Sequence, residues 1–312
     1  MARRVRFIPE DGALVEVSCR TIQSRYLLRP GPALNEIILG VLGRAQRLYP
    51  VQICGFVFLS NHYHLLLRVP DAELLADFME YVQSNLAREV CRLYGWKDKV
   101  WSRRYSAIVI SDEEAAQVDR FRYVLANGCK EGLVASPRDW PGVNMIAAVL
   151  DGKPLTGTWF DRTKEYAARL RGESSTRYQY STEETVALSP LPCWRHLTSD
   201  RYRERAASLV QEIEAEAAAE RKRTGIQPLG AAAILRQRPH TRPNKTKKSP
   251  SPGFHAATKA ARRDLWEAYA RFVAAFREAS EKLRNGDRTA HFPIGSFPPG
   301  LPFVRVCPGP VP

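Results

Sequence analysis

Two histidines separated by a single residue, His62 and His64, sit in the run FLSNHYHLLL at 58–67. On a strand, residues i and i+2 share a face. The two imidazoles therefore point the same way, together with Leu66 and Arg68, while Tyr63, Leu65, Leu67 and Val69 point into a core. Imidazoles at that spacing can take adjacent positions on one divalent metal if each second ring nitrogen is tied down. Arg68 on the same face could meet a phosphate. The other reading of the pair alone is a polar sheet face satisfied by water. A second constellation lies in RFRYVLANG, 120–128. Read as a helix, its apolar stripe is Val118, Phe121 and Leu125. Tyr123 falls off that stripe and shares a face with Arg120 and, at i+4, Asn127. A phenol beside an amide oxygen suits a nucleophile next to a metal. Without the histidines, an exposed or partner-packed tyrosine would be the simpler reading.

The elements that must position these groups can be read from periodicity. Residues 13–22 alternate: Val15, Val17 and Cys19 face one way, and Glu16, Ser18 and Arg20 face the other, as in a half-buried strand. Residues 23–33 form a loop. Residues 34–48 have helical spacing with two tolerated glycines. Residues 51–59, VQICGFVFL, are apolar on both faces, which places this strand centrally. The strand at 62–69 follows a Ser-Asn turn and stops at Pro70, and an amphipathic helix spans 72–94. Residues 101–110, WSRRYSAIVI, read as a fourth strand. Asp112 is positioned to cap a helix over 113–127, and Gly128 to end it. The order predicts an α+β unit, ferredoxin-like (RRM-like), with a four-stranded antiparallel sheet and helices on one face.

From about 145 the segments shorten and break at Gly, Pro and Ser. The chain then divides into residues 1–145 and an extension, 146–312, that is mostly helical. Helices are expected over about 200–222 and 256–285, with a shorter one near 229–235. A basic, Pro-rich linker without acids occupies 236–253, and an extended tail closes the chain.

The 312 residues carry a net charge of +14 and are 44% hydrophobic, so a folded core is expected along with a polyanionic partner, nucleic acid by default. The six cysteines never adopt C-x-x-C spacing, which argues against a zinc ribbon, a redox pair or a disulfide framework. The basic N-terminus lacks an apolar signal region. No apolar run approaches the ~20 residues that span a bilayer. A reduced, cytoplasmic protein that contacts no membrane is expected.

Four motifs in order carry a resemblance: His62-Tyr63-His64, then Trp101-Ser-Arg-Arg-Tyr105, then Arg122-Tyr123-Val-Leu-Ala-Asn127, then Gly132-Leu133-Val134. Over about 13–145 the chain resembles the single-tyrosine HUH transposases, and most of all the branch associated with repetitive extragenic palindromes. The resemblance implies that His62 and His64 ligate a metal, that Asn127 is a third, polar ligand, and that Tyr123 is the nucleophile. It implies Mg²⁺ or Mn²⁺, where ligand chemistry alone leaves the ion open. It also implies cleavage of single-stranded DNA near a hairpin, through a 5′-phosphotyrosine bond and a released 3′-hydroxyl that later rejoins. Two features depart from the family pattern: Gly128 stands where proline is usual, and Cys129 and Glu131 replace the common Val and Ala. For DNA contacts the candidates are Arg68, Arg103, Arg104, Tyr105, Arg120 and Arg122, extended by Trp96 and Lys97 to Lys99. Tyr123 could meet the histidines of its own chain or of a second copy in a homodimer. Another class of function stays open: a sheet module that binds structured DNA or RNA without cutting it.

Overall fold

The computed structural model describes residues 5–174, 176, 178–243 and 252–300. The centre of the basic linker and the end of the tail lie outside the described residues. The chain opens with β1 (Ala13–Arg20), α1 (Pro32–Leu48), β2 (Gln52–Leu59), β3 (His62–Val69), α2 (Ala72–Tyr94), β4 (Ser106–Ile110) and α3 (Glu114–Lys130). It continues through α4 (Ile146–Asp151), β5 (Thr156–Phe160), α5 (Arg162–Leu170), β6 (Ser181–Thr185), α6 (Ser199–Thr224), α7 (Ala231–Arg236), β7 (Phe254–His255) and α8 (Lys259–Arg284).

The main sheet is α+β in setting and five-stranded, in the order β2-β3-β1-β4-β7. β1 pairs antiparallel with both β3 and β4, and β2 pairs antiparallel with β3. The fifth strand was not expected: two residues from the far end of the chain run parallel to β4. A separate hairpin, β5–β6, packs on the outer side of α1. The region after 145 therefore contributes three strands as well as helices.

Local chemistry explains several boundaries. Pro32 opens α1, where its missing N–H is no loss. Asp71 caps α2 by accepting from the Leu74 N–H at 2.7 Å, and Gly95 ends it in the left-handed region at φ 62°. Gly40 is more than tolerated in α1. A Cβ there would stand 2.1 Å from the Thr158 backbone, so only glycine lets β5 lie against the helix.

Three expectations at the second half of the unit are corrected. The fourth strand begins at Ser106 rather than 101: Trp101 makes one isolated bridge to Thr21, and 102–104 form a bend. Asp112 does not cap α3; Glu113 holds that position and makes no side-chain cap bond to the helix. Gly128 does not end the helix, which runs on to Lys130. Its missing side chain instead admits Val134, whose Cγ2 would lie 3.0 Å from an added Cβ.

Helices cover both faces of the sheet, not one. Tyr63, Leu65 and Leu67 face α2, where Gln83 Nε2 donates to the buried Tyr63 hydroxyl at 2.9 Å. α3 lies across the opposite face, the one that carries the histidines. That second cover changes β1: its supposed solvent side is buried, and Glu16 is only 2% exposed.

Candidate active site

The site forms where α3 crosses β3 and β1. Strand alternation sets His62 and His64 on one face, with their ring centroids 5.1 Å apart. Each ring is fixed through Nδ1. His62 Nδ1 is 2.7 Å from Asn61 Oδ1 in the turn before the strand, and His64 Nδ1 is 2.7 Å from Glu16 Oε1 on the neighbouring strand. Register explains the second contact. Glu16 is paired with Leu66 and Ser18 with His64, so Glu16 lies diagonally beside His64 on the same face. With Nδ1 engaged in both rings, Nε2 is the nitrogen left for a ligand.

Tyr123 stands on α3 with its ring centroid 5.4 Å from that of His64, at an edge-on 80°. Two cations flank the phenol: the Arg120 guanidinium lies 4.3 Å from the ring centroid and the Lys130 ammonium 4.5 Å. Arg120 also forms an ion pair with Glu16 Oε2. Glu16 is thereby shared between a histidine on the sheet and an arginine on the helix.

The electrostatics follow from this packing. Burial alone would raise the Glu16 carboxyl, but the contact with His64 and the charge and hydrogen bond of Arg120 outweigh it and hold it below the usual value. Burial, reinforced by the neighbouring His64 ring and the charge of Arg20, drives His62 well below its ordinary pKa. The neutral imidazole that results is the form able to ligate a metal. Burial and the Glu16 charge push the Tyr123 phenol up, opposed by Arg120 and the Asn127 amide.

Asn127 is buried one turn beyond Tyr123, and its Nδ2 finds no hydrogen-bond partner among the described residues. The Asn127 amide reaches His62 and Tyr123, and its oxygen, with two imidazoles that have Nε2 to spare, would give the mixed nitrogen and oxygen donors that suit a divalent cation. Among the described residues no three His, Cys, Asp or Glu cluster for a metal, so the amide would have to complete the set.

The expected DNA contacts separate. Arg120 is at the site. Arg103 and Arg104 are exposed on a bend tied to β1 by the Ser102 N–H to Arg20 carbonyl bond, and Arg20 pairs with His62. They stand at the His62 end of the sheet. Arg68 lies at the other end of β3, donating to the carbonyls of Asp11 (2.6 Å) and Val69 (2.7 Å). Tyr105 is 7% exposed with the Arg6 guanidinium over its ring, so it is a core residue rather than a base-stacking platform. Arg122 turns to α6, where it pairs with Glu212 and Glu216. Trp96 is covered by Arg25 and His240.

Sequence reasoning missed Glu16, Lys130 and Asn61. Lys130 had a signal, since it is seven residues from Tyr123 and returns to the same helix face. Glu16 had one as well, as a carboxylate inside an apolar strand.

Comparison with known proteins finds one family similarity. Residues 22–125 match the family model described as Transposase IS200 like. The matched segment contains His62, His64 and Tyr123. The match covers about a third of the chain, and over that stretch the chain is similar to the IS200-like transposases. Among solved structures, a REP-associated tyrosine transposase bound to a REP hairpin is similar at 16% identity and a TM-score of 0.38, over 61% of this chain and 100% of that one. A protein from Deinococcus radiodurans R1, solved as a candidate transposase, is similar at 14% identity and a TM-score of 0.28, over 39% of this chain and 95% of that one. At these scores neither adds to the assignment. No curated protein matches the chain. Among the described residues, no helix is long and apolar enough to cross a membrane.

Proposed function

We propose that the protein is a divalent-metal-dependent endonuclease and strand-transferase for single-stranded DNA, with Tyr123 as its nucleophile. The catalytic unit is residues 1–145, with β1 to β4, α1 and α2 arranged in the ferredoxin-like manner. The observation that carries the reading is the Tyr123 ring set 5.4 Å from the ring of His64, with Arg120 joining both through Glu16.

His62, His64 and Asn127 would hold Mg²⁺ or Mn²⁺. When bound, the ion supplies positive charge that stabilises the oxygens of the scissile phosphate. The chain's own groups do the rest. Tyr123 Oη attacks phosphorus and forms the new P–O bond. The bond to the 3′-oxygen breaks, and that oxygen leaves and takes up a proton. The phenol must lose its own proton, and its raised pKa makes that loss a real part of the barrier. Arg120 and Lys130, each within 4.5 Å of the ring centroid, favour the phenolate and then the phosphodiester attached to it. Asn61 and Glu16 keep the imidazoles oriented throughout. Reversal, with a 3′-hydroxyl attacking the phosphotyrosine, rejoins strands without an external energy source. Arg103 and Arg104 would meet the strand entering at the His62 end. The DNA partner is single-stranded or hairpin DNA, in keeping with the net charge of +14.

The test is to incubate labelled single-stranded hairpin DNA from the gene's flanks with the full chain and Mn²⁺ or Mg²⁺, then run a denaturing gel. A metal-dependent covalent adduct, absent in Tyr123→Phe, is expected. Tight hairpin binding with no adduct across several flanks and both metals would instead make the protein a binding module.

A further inference from the structure

The residues after 145 are unexplained by the catalytic reading, yet they grip the helix that carries Tyr123. The short turn at Pro192–Trp194 and α6 take hold along one side of α3. The Cys193 N–H donates to Gln117 Oε1 at 3.1 Å, and the Trp194 indole N–H to Glu114 Oε1 at 3.1 Å. Phe121, fully buried, packs against the rings of Trp194 and Tyr202 at 5.7 and 6.5 Å. Arg122, the residue before Tyr123, ends on Glu212 and Glu216. A second part of the extension arrives from the sheet edge. β7 pairs with β4 and sets His255 Nε2 3.1 Å from Asp119 Oδ2, one turn before Tyr123. Just beyond it, the Ala257 N–H donates to Glu113 Oε2 at 2.8 Å, at the start of the helix.

We propose that residues 192–216 and β7 form a clamp that fixes how α3 is seated on the sheet, and that Arg122 and Asp119 are positioning residues for Tyr123. The physical need is clear. An apolar stripe alone seats a helix on a sheet but lets it roll and slide by fractions of an ångström, whereas displacement of a nucleophile by about 1 Å can cost about 10²-fold in rate. Contacts to two separate elements, both within one turn of Tyr123, remove that freedom. Arg122 thereby has a role other than DNA binding, and the extension has a role in catalysis without touching substrate. The clamp depends on the reading of Tyr123 as nucleophile.

The experiment uses the full chain with Arg122→Ala and His255→Ala combined. Both changes are away from the buried stripe of Phe121, Val124 and Leu125, so the fold should persist. Hydrogen exchange over residues 114–130 should rise. The rate of adduct formation on hairpin DNA should fall about 3- to 10-fold, since a partly exposed ion pair at Arg122 and a hydrogen bond at His255 are worth about a few-fold each. Hairpin affinity should stay unchanged, and Arg122→Lys with His255 intact should recover most of the rate. Unchanged exchange in α3 overturns the clamp, as does raised exchange with an unaltered adduct rate. A fall in hairpin affinity that accounts for the rate loss would return Arg122 to the DNA surface and also overturn it. If the wild type forms no adduct, the nucleophile reading fails by itself, and the exchange measurement still decides whether the extension holds α3.

Discussion

The two faces of the central sheet are both buried, but they are buried differently. Under α2, β3 presents Tyr63, Leu65 and Leu67, and the Tyr63 hydroxyl accepts from Gln83. Under α3 the face holds Glu16, His62 and His64, joined by Arg120, Tyr123 and Asn127. Burying polar and charged groups costs stability unless they are paired. The α2 face avoids the cost, while the α3 face accepts it and pairs nearly every group. What remains unpaired there is the Asn127 amide nitrogen and Arg120 Nε, both at the site. The contrast sets a face of apolar packing against one that gathers the groups proposed to carry the chemistry.

Substitutions should separate the two faces. His64→Ala unpairs one oxygen of the buried Glu16 and so should cost some stability, but the rate of adduct formation per folded molecule should fall by about 10²- to 10³-fold; a folded variant with near-normal rate would erase the distinction. On the other face, Leu65→Ala should cost about 2–5 kcal/mol of folding stability, read by urea unfolding. Its adduct rate per folded molecule should not move. Glu16→Gln keeps the side-chain shape but removes the charge shared by His64 and Arg120. Loss of such a carboxylate partner should weaken Mn²⁺ binding by about 10- to 100-fold in calorimetry, and an unchanged affinity would show that Glu16 only fills space.

A smaller effect concerns the start of α3. Hydrogen bonds from Thr258 and Ser111 hold the Glu113 carboxyl down at about 2 from an ordinary 4.5. Because its folded pKa is depressed, its contribution is complete above about 4.5 and is lost as pH falls through about 2. The stability difference between wild type and Glu113→Gln should therefore be constant at neutral pH and narrow steadily below pH 4.5. A difference that grew on acidification would contradict the assigned contacts.

Much of this was legible in the sequence because strand and helix periods are short-range rules. The His-x-His parity placed both imidazoles on one face, and Tyr123 was visible because it falls off the Phe121–Leu125 stripe. Glu16 was misassigned for a related reason. Alternation in β1 identifies two faces but cannot say that α3 comes back to cover the second. Tyr105 and its neighbours mimicked a strand and a stacking surface, yet the chain bends at 102–104 and buries the tyrosine. β7 left no local signal at all. Two residues beside a basic, Pro-rich run pair with a strand laid down long before them, and periodicity does not register contacts of that range. The grip of the extension on α3 was hidden for the same reason, since Arg122 and Asp119 look like ordinary surface charges until α6 and β7 are in place.

The most direct measurement is to digest the covalent protein–DNA adduct and map the linkage by mass spectrometry. The account predicts a nucleotide 5′-phosphate on the peptide containing Tyr123, with every other tyrosine unmodified and no adduct in Tyr123→Phe. Linkage to any other residue, or an adduct that persists in Tyr123→Phe, would contradict it.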